Sequence, residues 1–485
     1  MSSTQRLGVD ALWIKETLGA VEGLLLKAPE TLPEGTIDAI LSDSRRAGPG
    51  TLFVALSGER FDGHDFVADV ARRSAPAALV ARPVDADIAQ FVVADTVEAY
   101  GTIAARYRRE LGARIVAVAG SNGKTTTTQM VAAILRAAHG DRTASTAGNF
   151  NNHVGVPQTL LGFPHGTEYA VVEAGMNHPG ELARLADWIR PDTVLLTNAQ
   201  REHQEFLAGV RETAWENGLA VAALSDGGFA VYPSDDASCD VWASIARARG
   251  VRALTFATDP AVRADAHMTL DERGDAVLVF SDRTPGGAAR LSFPFRMAGE
   301  HNRHNAAGAA LAARTLGLPD EAIVEALANF RALRGRGAAI RTEDGSDITI
   351  YDEAYNANPD SMKAAMRILV EDPSPAKVFL MGDMGEVGRE ASACHAEVGA
   401  YARELGLTLW TCGELSKYAA EACGPRARRF ATVEELLEHL PELPASKAAF
   451  TVKASHSMGF DRVVARLLEL HARRDDAPRN PTNEN

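Results

Sequence analysis

Short apolar runs alternate with amphipathic stretches along most of the chain. In the first hundred residues, apolar runs bounded by turn signals predict short strands at 51–56, 77–80 and 91–93. A stronger apolar run at 115–119 is followed by a pattern that predicts a helix from Thr125, with its apolar side chains on one face and Gly140 as its C-cap. The order strand, tight turn, helix is typical of an α/β fold.

The same alternation continues through the middle of the chain. Strands are predicted at 169–172 and 193–197, with helical patterns between and after them, as in a parallel, doubly wound sheet. The stretch 259–294 differs, because short alternating runs lie between Gly and Asp turns, and it predicts an antiparallel edge or insert. Two helices are predicted next, at 303–315 and 320–330.

The last third repeats the strand and helix pattern. The predicted strands are at 348–351, 378–381, 408–411 and 449–452. A helix is predicted around 393–405 and another from Pro359, which suits a first helical position, while Asn358 can act as its N-cap. This part is expected to be a second, Rossmann-like α/β domain.

The length of 485 residues exceeds what one hydrophobic core supports, so several domains are expected. One boundary is placed near 108, in a charged stretch, and another in the Gly- and Arg-rich linker 331–337. The predicted domains are 1–108, 109–332 and 333–474, and the polar tail 475–485 is expected to be disordered.

Composition narrows the class of protein. The apolar fraction of 46% and the charged fraction of 24% are those of globular proteins. No apolar run is long enough for a membrane span and the first twenty residues lack a signal-peptide pattern, so a cytoplasmic protein without membrane insertion is expected. With 50 basic and 64 acidic residues, the formal net charge of -14 disfavours nucleic-acid binding. The four cysteines lack metal-binding spacing.

A phosphate-binding loop is predicted between the strand at 115–119 and the following helix. Its residues are Gly120, Ser121, Asn122, Gly123, Lys124, Thr125 and Thr126. Small residues let backbone N–H groups converge on phosphate oxygens at a helix N-terminus, Lys124 supplies positive charge, and the Thr125 hydroxyl can ligate magnesium. The general P-loop pattern has glycine at the position of Val118, so this loop is a shorter variant.

Two further side chains follow strands of the predicted central sheet. Glu173 comes directly after the strand at 169–172, and His203 lies just beyond the strand at 193–197. The carboxyl ends of parallel strands form sites in such sheets, and both side chains can bind Mg²⁺ or Mn²⁺. A lone Glu or His is more often a solvated charge or a structural hydrogen-bonding group.

The short G-S-N-G-K-T-T loop resembles that of the Mur ligase superfamily, whose three-domain architecture then becomes the expected fold. The run 146–157 resembles the loop with which these ligases hold a UDP-muramoyl substrate, although it could also be an Asn-rich turn. The resemblance implies substrate contacts for Thr146, Asn149, Asn151 and Asn152. It also implies that Glu173 and His203, with Thr125, are metal ligands and that Lys124, Glu173 and His203 are catalytic.

Other motifs extend this resemblance over nearly the whole chain. The run 300–307 resembles a helix start in which Asn305 recognises adenine, although an N-capped surface helix would have the same pattern. Arg336 is similar to the family's linker arginine that reaches the ATP phosphates. Asp352 matches a carboxylate that contacts the ribose. Ser44 and Arg45, in the run 42–45, resemble part of the UDP-binding domain.

The run 352–359, Asp-Glu-Ala-Tyr-Asn-Ala-Asn-Pro, resembles the signature of those members of the family that add D-alanyl-D-alanine. It implies substrate contacts for Tyr355, Asn356 and Asn358. The run 452–458 resembles a second family motif and implies the same for Lys453 and Ser455, but Ala454 and His456 replace Gly and Arg there.

The resemblance implies an ATP-dependent, monomeric ligase of peptidoglycan precursor synthesis. ATP would phosphorylate the terminal carboxylate of a UDP-N-acetylmuramoyl-tripeptide, and D-alanyl-D-alanine would attack the resulting acyl phosphate. The expected cofactors are ATP and Mg²⁺, with Mn²⁺ as an alternative. Two other interpretations are a superfamily ligase that adds another amino acid, which the signature at 352–359 disfavours, and a regulatory P-loop ATPase or GTPase.

One position departs from the family. Most relatives carry a carbamoylated lysine that holds a second magnesium ion, and alignment from His203 places Asn217 there, or Glu216 if one gap is allowed. We expect Glu216 or Asn217 to replace the carbamate in the metal shell, because carboxylate and amide oxygens suit magnesium. Otherwise both are ordinary helix-end residues, with Gly218 as the stop.

Overall fold

The computed structural model describes residues 7–58, 61–202, 204–342 and 344–471. His203 and the tail 475–485 lie outside these ranges. The described residues form two compact units, one of residues up to 199, 214–295 and 304–329, and one of 200–213, 296–303 and 330 onward. The first unit contains the predicted first domain and most of the predicted central domain, and the three-domain boundaries stay predictions.

The N-terminal part of the first unit has a parallel four-stranded sheet in the order β3-β4-β5-β6 and a small antiparallel ladder of β1 and β2. Its elements are β1 (Val9–Asp10), α1 (Ala11–Gly19), β2 (Thr36–Ile37), β3 (Ala39–Leu41), β4 (Thr51–Val54), α2 (Val67–Arg72), β5 (Ala77–Val80), β6 (Ala89–Val92) and α3 (Thr96–Leu111). Leu52 and Val54 pack in one apolar cluster and Phe53 in another, so both faces of β4 are buried.

The rest of the first unit is built on a nine-stranded sheet in the order β15-β14-β13-β12-β11-β10-β7-β9-β8. Its elements include β7 (Arg114–Ala119), α4 (Lys124–His139), β8 (Thr143–Ser145), α5 (Gly155–Leu161), β9 (Tyr169–Glu173), α6 (Glu181–Ile189), β10 (Thr193–Leu196), α7 (Val210–Gly218), β11 (Phe229–Pro233), α8 (Cys239–Arg249), β12 (Arg252–Ala257), β13 (Ala266–Leu270), β14 (Ala276–Phe280), β15 (Ala289–Phe293), α9 (Glu300–Thr315) and α10 (Asp320–Asn329). The first four residues of α7 and of α9 are assigned to the second unit. The predicted antiparallel insert is confirmed, since β13, β14 and β15 pair antiparallel at one edge.

The second unit contains a six-stranded sheet in the order β16-β17-β21-β18-β19-β20. Its elements include β16 (Ala338–Arg341), β17 (Ile348–Glu353), α11 (Pro359–Glu371), β18 (Ala376–Gly382), α12 (Ala391–Glu404), β19 (Thr408–Cys412), α13 (Ser416–Cys423), β20 (Ala427–Phe430), α14 (Val433–His439), β21 (Ala448–Lys453) and α15 (Asp461–Leu470). Val378 and Leu380 face one apolar cluster while Phe379 and Met381 face the other, so this sheet is also covered on both sides.

The predicted strands of all three parts are confirmed to within a few residues, and the α/β class with parallel central sheets is confirmed. The sequence did not predict β16, which follows the Gly-rich linker and alternates between half-buried and exposed residues at the edge of its sheet. None of the helices in the described ranges is long and apolar enough to cross a membrane.

Candidate functional site

The loop predicted to bind phosphate connects β7 to α4, so its predicted placement between a strand and a helix is confirmed. Gly120 and Gly123 both have a positive φ, of +127° and +81°. A Cβ atom on Gly120 would lie 2.2 Å from Thr197 Oγ1, and one on Gly123 would lie 2.5 Å from Asn305 Oδ1. Both positions therefore require glycine, for conformation and for space.

Neighbouring groups of the first unit hold the loop in this shape. Ser121 N donates to Asn198 O at 3.0 Å, and Asn122 N donates to Asn198 Oδ1 at 2.9 Å. Asn198 Nδ2 in turn donates to Asn122 O at 3.0 Å. The Lys124 ammonium donates to Gly120 O at 2.6 Å and Ser121 O at 2.8 Å. Sequence reasoning missed Asn198, although its place just beyond β10, the strand beside β7, was a usable signal.

The N-terminus of α4 completes the loop. Gly123 is its N-cap and provides no side-chain hydrogen bond. The first N–H groups of a helix lack acceptors within the helix, and the helix dipole favours negative charge at this end. Thr125 and Thr126, in the first turn, are buried. The arrangement suits a bound phosphate group although the chain as a whole is acidic.

Glu173 lies beside this loop, because it is the last residue of β9 and pairs with Val118 of β7. Its side chain is buried, and its Oε1 atom accepts a hydrogen bond from Asn151 Nδ2 at 2.7 Å. Its Oε2 atom is buried and has no hydrogen-bond partner among the described residues. A buried carboxylate oxygen without a donor is costly, so this atom is a candidate cation ligand.

The described residues include two of the three predicted metal ligands. Within the described ranges, no group of three or more His, Cys, Asp and Glu side chains is arranged to hold a metal ion. The third predicted ligand, His203, lies outside those ranges. Glu173 Oε2 and the Thr125 hydroxyl are oxygen donors of the type that magnesium prefers, so the donors that the structure describes fit this ion.

The loop 146–157 reaches Glu173 from the other side. Thr146 Oγ1 accepts a hydrogen bond from Glu173 N at 2.9 Å. Asn152 Oδ1 accepts hydrogen bonds from Val154 N at 3.1 Å and Gly155 N at 2.9 Å, which fixes the start of α5. Thr146, Asn151 and Asn152 thus have structural contacts, and their predicted substrate contacts, like that of Asn149, stay predictions.

Asn305, predicted to recognise adenine, lies in α9 and is buried against Gly123 of the phosphate loop. Its neighbour His304 pairs with Asp235, with 2.8 Å between Nε2 and Oδ1.

In the N-terminal part, Arg45 forms an ion pair with Asp43 at 2.8 Å, which lowers the pKa of Asp43 to about 2. Ser44 is the first residue of a single 3₁₀ turn that the Asp43 side chain caps. The adenine and UDP contacts stay predictions.

In the second unit, the linker and the signature residues form one cluster. The Arg336 guanidinium lies 3.8 Å from the centroid of the Tyr355 ring, and that ring stacks on His456 at 5.3 Å. The buried Asp352 accepts hydrogen bonds from Gly335 N at 2.8 Å and Ala354 N at 3.3 Å. Asp352 therefore fixes the linker, and its predicted ribose contact stays a prediction.

The signature run continues into α11. Asn358 caps this helix in a reciprocal arrangement with Ser361, and Pro359 is its first residue, as predicted. The buried Lys453 ammonium donates to Glu353 Oε2 at 3.1 Å and Asn356 O at 2.9 Å.

Asn356, through its side chain, and Ser455, through its backbone, make two further contacts in the cluster. Asn356 Oδ1 accepts a hydrogen bond from Ala357 N at 2.8 Å, and Ser455 N donates to Asp383 O at 3.0 Å. Tyr355, Asn356, Lys453 and Ser455 are thus part of one region of the second unit, with Asn358 at its helix start. Their contacts with substrate stay predictions.

Known proteins resemble this chain along nearly all of its length. Three family models match it: the Mur ligase catalytic domain at 36–118, the Mur ligase middle domain at 118–313 and the Mur ligase glutamate ligase domain at 335–456. The UDP-N-acetylmuramoyl-tripeptide--D-alanyl-D-alanine ligase of Escherichia coli is 37% identical, over 90% of this chain and 94% of that protein.

Solved structures agree with these matches. A structure of MurF from Acinetobacter baumannii has a TM-score of 0.84 at 32% identity and covers 95% of this chain and 99% of that chain. MurF ligase from Thermotoga maritima, in complex with ADP, has a TM-score of 0.76 at 22% identity, over 90% of this chain and 98% of that one, and shares the fold. The chain therefore belongs to the Mur ligase family.

Proposed function

We propose that this chain is an ATP-dependent ligase that joins D-alanyl-D-alanine to UDP-N-acetylmuramoyl-tripeptide and yields ADP, phosphate and the UDP-linked pentapeptide. The observation that carries this proposal is the match to the E. coli ligase of that name, at 37% identity over 90% of this chain and 94% of that protein. The signature run 352–359 supports the same choice within the family.

The phosphate-binding loop is the proposed site of the ATP phosphates. The N-terminus of α4 offers N–H groups and a favourable dipole to the phosphate oxygens. The Lys124 ammonium, which contacts the carbonyl groups of Gly120 and Ser121, would neutralise charge on the outer phosphates. Asn305 is proposed to contact adenine, Asp352 the ribose and Arg336 the phosphates.

Magnesium is the proposed metal cofactor. Thr125 and Glu173 would hold it, together with His203. When bound, the ion supplies positive charge that stabilises the phosphoryl group during transfer. In this chain, Asn151 and Thr146 orient Glu173 through its Oε1 atom and its backbone N–H, and the Oε2 atom remains for the cation.

The reaction then proceeds in two steps. A carboxylate oxygen of the tripeptide attacks the γ-phosphorus of ATP, the bond from that phosphorus to the ADP oxygen breaks, and an acyl phosphate forms. The amine of D-alanyl-D-alanine attacks the acyl carbon, phosphate leaves, and the nitrogen loses a proton. The protein positions the reactants and neutralises charge, and no covalent enzyme intermediate is required.

The two substrates that the reaction joins are assigned to different parts of the chain. The UDP-muramoyl substrate is proposed to contact Ser44, Arg45, Thr146, Asn149, Asn151 and Asn152. D-Alanyl-D-alanine is proposed to contact Tyr355, Asn356, Asn358, Lys453 and Ser455. A cytoplasmic location is proposed, because the reaction consumes ATP and a UDP-linked precursor. A monomer is proposed from the family resemblance alone.

Formation of ADP by purified protein tests this function. We expect ADP release to require both UDP-N-acetylmuramoyl-tripeptide and D-alanyl-D-alanine. If another amino acid replaced D-alanyl-D-alanine equally well, the chain would be a different ligase of the family. ADP release without either substrate, at the full rate, would favour a regulatory ATPase. Tripeptides that differ at their third residue would then define the acceptor.

A further inference from the structure

Asn217, on α7, reaches the phosphate-binding loop from another part of the first unit. Its Oδ1 atom accepts a hydrogen bond from Gly120 N at 3.1 Å, although the two residues are 97 positions apart in the sequence. The Asn217 side chain is buried, with 1% of its surface exposed. A buried amide that binds a loop peptide fixes the orientation of that peptide.

The packing of α7 gives Asn217 a defined position. Trp242 of α8 donates its indole N–H to Ala214 O of α7 at 2.8 Å. A Cβ atom on Gly218 would lie 2.4 Å from Ile245 Cδ1, so the glycine lets the two helices approach closely. α7 ends at Gly218, as the sequence alternative expected, but Gly218 keeps helical angles, with φ at -67° and ψ at -22°, instead of the left-handed conformation of a glycine C-cap.

The contact continues through Gly120 to the lysine of the loop. Gly120 has its N–H held by Asn217 and its carbonyl oxygen bonded to the Lys124 ammonium at 2.6 Å. With φ at +127°, the Gly120 backbone has a conformation that is favourable only for glycine. Because glycine can adopt many other conformations as well, the hydrogen bonds around Gly120 must select this one. A change at Asn217 would therefore alter both the loop backbone and the place of Lys124.

We propose that Asn217 is a positioning residue for the nucleotide, which orients the phosphate-binding loop through Gly120, and that this replaces the metal-shell role expected from the sequence. The neighbouring Glu216 also binds a backbone N–H, since its Oε2 atom accepts from Gly180 N at 2.7 Å. The inference rests on the proposed ATP-dependent function. Its test measures nucleotide binding without ligation, so the two can fail separately.

Binding of Mg²⁺-free ADP to the full chain, in EDTA, tests this role by calorimetry. Asn217→Leu keeps the size of the side chain and removes its acceptor, and we expect the Kd for ADP to rise about tenfold, the effect of one lost buried hydrogen bond. Asn217→Ser, whose side chain is too short to reach Gly120, should also raise the Kd for ADP. This variant serves as the test if the leucine variant does not fold. Tyr107→Phe is the control, because it removes a buried hydrogen bond of the first unit, from the Tyr107 hydroxyl to Phe163 O at 2.7 Å, that involves neither α7 nor the loop.

Three results are decisive. A raised Kd for ADP in the Asn217 variants, with Tyr107→Phe lowering the melting temperature but leaving the Kd unchanged, supports the positioning role. An unchanged Kd in folded Asn217 variants overturns it. A change confined to the Mg²⁺ concentration needed for half-maximal activity, with Mg²⁺-free ADP binding unaffected, also overturns it and favours the metal-shell role.

Discussion

The phosphate-binding loop of the first unit and the signature cluster of the second are held by different forces. Around the loop, uncharged amide groups accept the backbone hydrogen bonds. Asn198 and Asn217 bind the N–H groups of Gly120, Ser121 and Asn122. In the second unit, ion pairs hold the signature run and the start of α11. Lys453 pairs with Glu353, and Arg201 pairs with Asp360 and Glu397. These five residues are called the charged region below.

This difference has a physical reason. A loop that receives an anion gains from neutral, directional hydrogen bonds, because they fix its shape without placing further negative charge beside the phosphates. The second region is held by ion pairs, which depend on salt and pH. Changes in the loop should therefore act on nucleotide binding and rate, and changes in the ion pairs should act on stability.

Lys124→Ala tests the loop with the largest expected effect. The variant should lose activity on the order of a thousandfold, because a charge that stabilises the transferred phosphoryl group is removed. The melting temperature should change little, since the ammonium binds loop carbonyls rather than the core. The exposed Lys15→Ala is the control. Near-normal turnover in folded Lys124→Ala would exclude this lysine from the mechanism.

Gly120→Ala tests whether the shape of the loop is as strict as its contacts indicate. The new Cβ atom would lie 2.2 Å from Thr197 Oγ1 and 2.8 Å from Thr197 N. We expect a destabilisation of about 1–3 kcal/mol and a weakened affinity for ADP. Gly19→Ala is the control, because a Cβ atom there would lie 3.9 Å from Leu26 Cδ2, at an ordinary contact distance. Equal behaviour of the two variants would contradict the prediction.

The sequence predicted the loop because its signal is local. Two glycines, Lys124 and a following amphipathic helix lie within a few residues of one another. The groups that hold the loop were harder to predict, since Asn198 and Asn217 bind it from 76 and 97 positions away. Which asparagine meets which N–H depends on strand order and helix packing, and neither is visible in the local pattern.

The same limit applies to the second unit. The helix that starts at Pro359 and its cap, Asn358, were predicted from adjacent residues. The contact of Arg201 with Asp360 joins residues 159 positions apart, and no periodicity marks it. Sequence patterns thus predict the elements and the local motifs, while the contacts that position them follow from the tertiary fold.

Arg201→Met tests the charged region within the second unit. Its guanidinium binds Asp360 at 2.6 Å and Glu397 at 2.7 Å, and 28% of the arginine side chain is exposed. Loss of both ion pairs should lower the free energy of unfolding by about 1–2 kcal/mol, and this decrease should be smaller at high salt. Arg466→Met, which removes an exposed pair with Glu469, is the control. Equal urea midpoints for the two variants would contradict the prediction.

Asn358→Ala separates a structural from a substrate role in the signature run. The lost cap of α11 should cost about 1 kcal/mol of stability. We also expect a fall in kcat/KM for D-alanyl-D-alanine beyond that caused by unfolding. Asp95→Ala is a matched control, because Asp95 caps α3 with the same kind of hydrogen bond. If activity fell only with the folded fraction in both variants, the cap would account for the whole effect.

Glu397→Gln tests the pH dependence of the charged region and has the smallest expected effect. Hydrogen bonding to Arg201 lowers the pKa of Glu397 from its ordinary value of 4.5 to about 2. A lowered pKa means that the ion pair stabilises the folded protein fully above about pH 4.5 and loses this effect as the pH falls toward about 2. Because the pair is partly exposed, the variant should lose a few tenths of a kcal/mol, roughly, at neutral pH.

The urea midpoints of parent and variant should therefore differ at neutral pH and converge in acid. Glu469→Gln, at the exposed pair with Arg466, controls for the change in net charge. A difference between parent and Glu397→Gln that stayed constant from neutral pH into acid would show that packing, and not the charge of Glu397, stabilises this contact. In that case the contrast with the phosphate-binding loop, whose N–H groups are bound by uncharged amides, would no longer rest on charge.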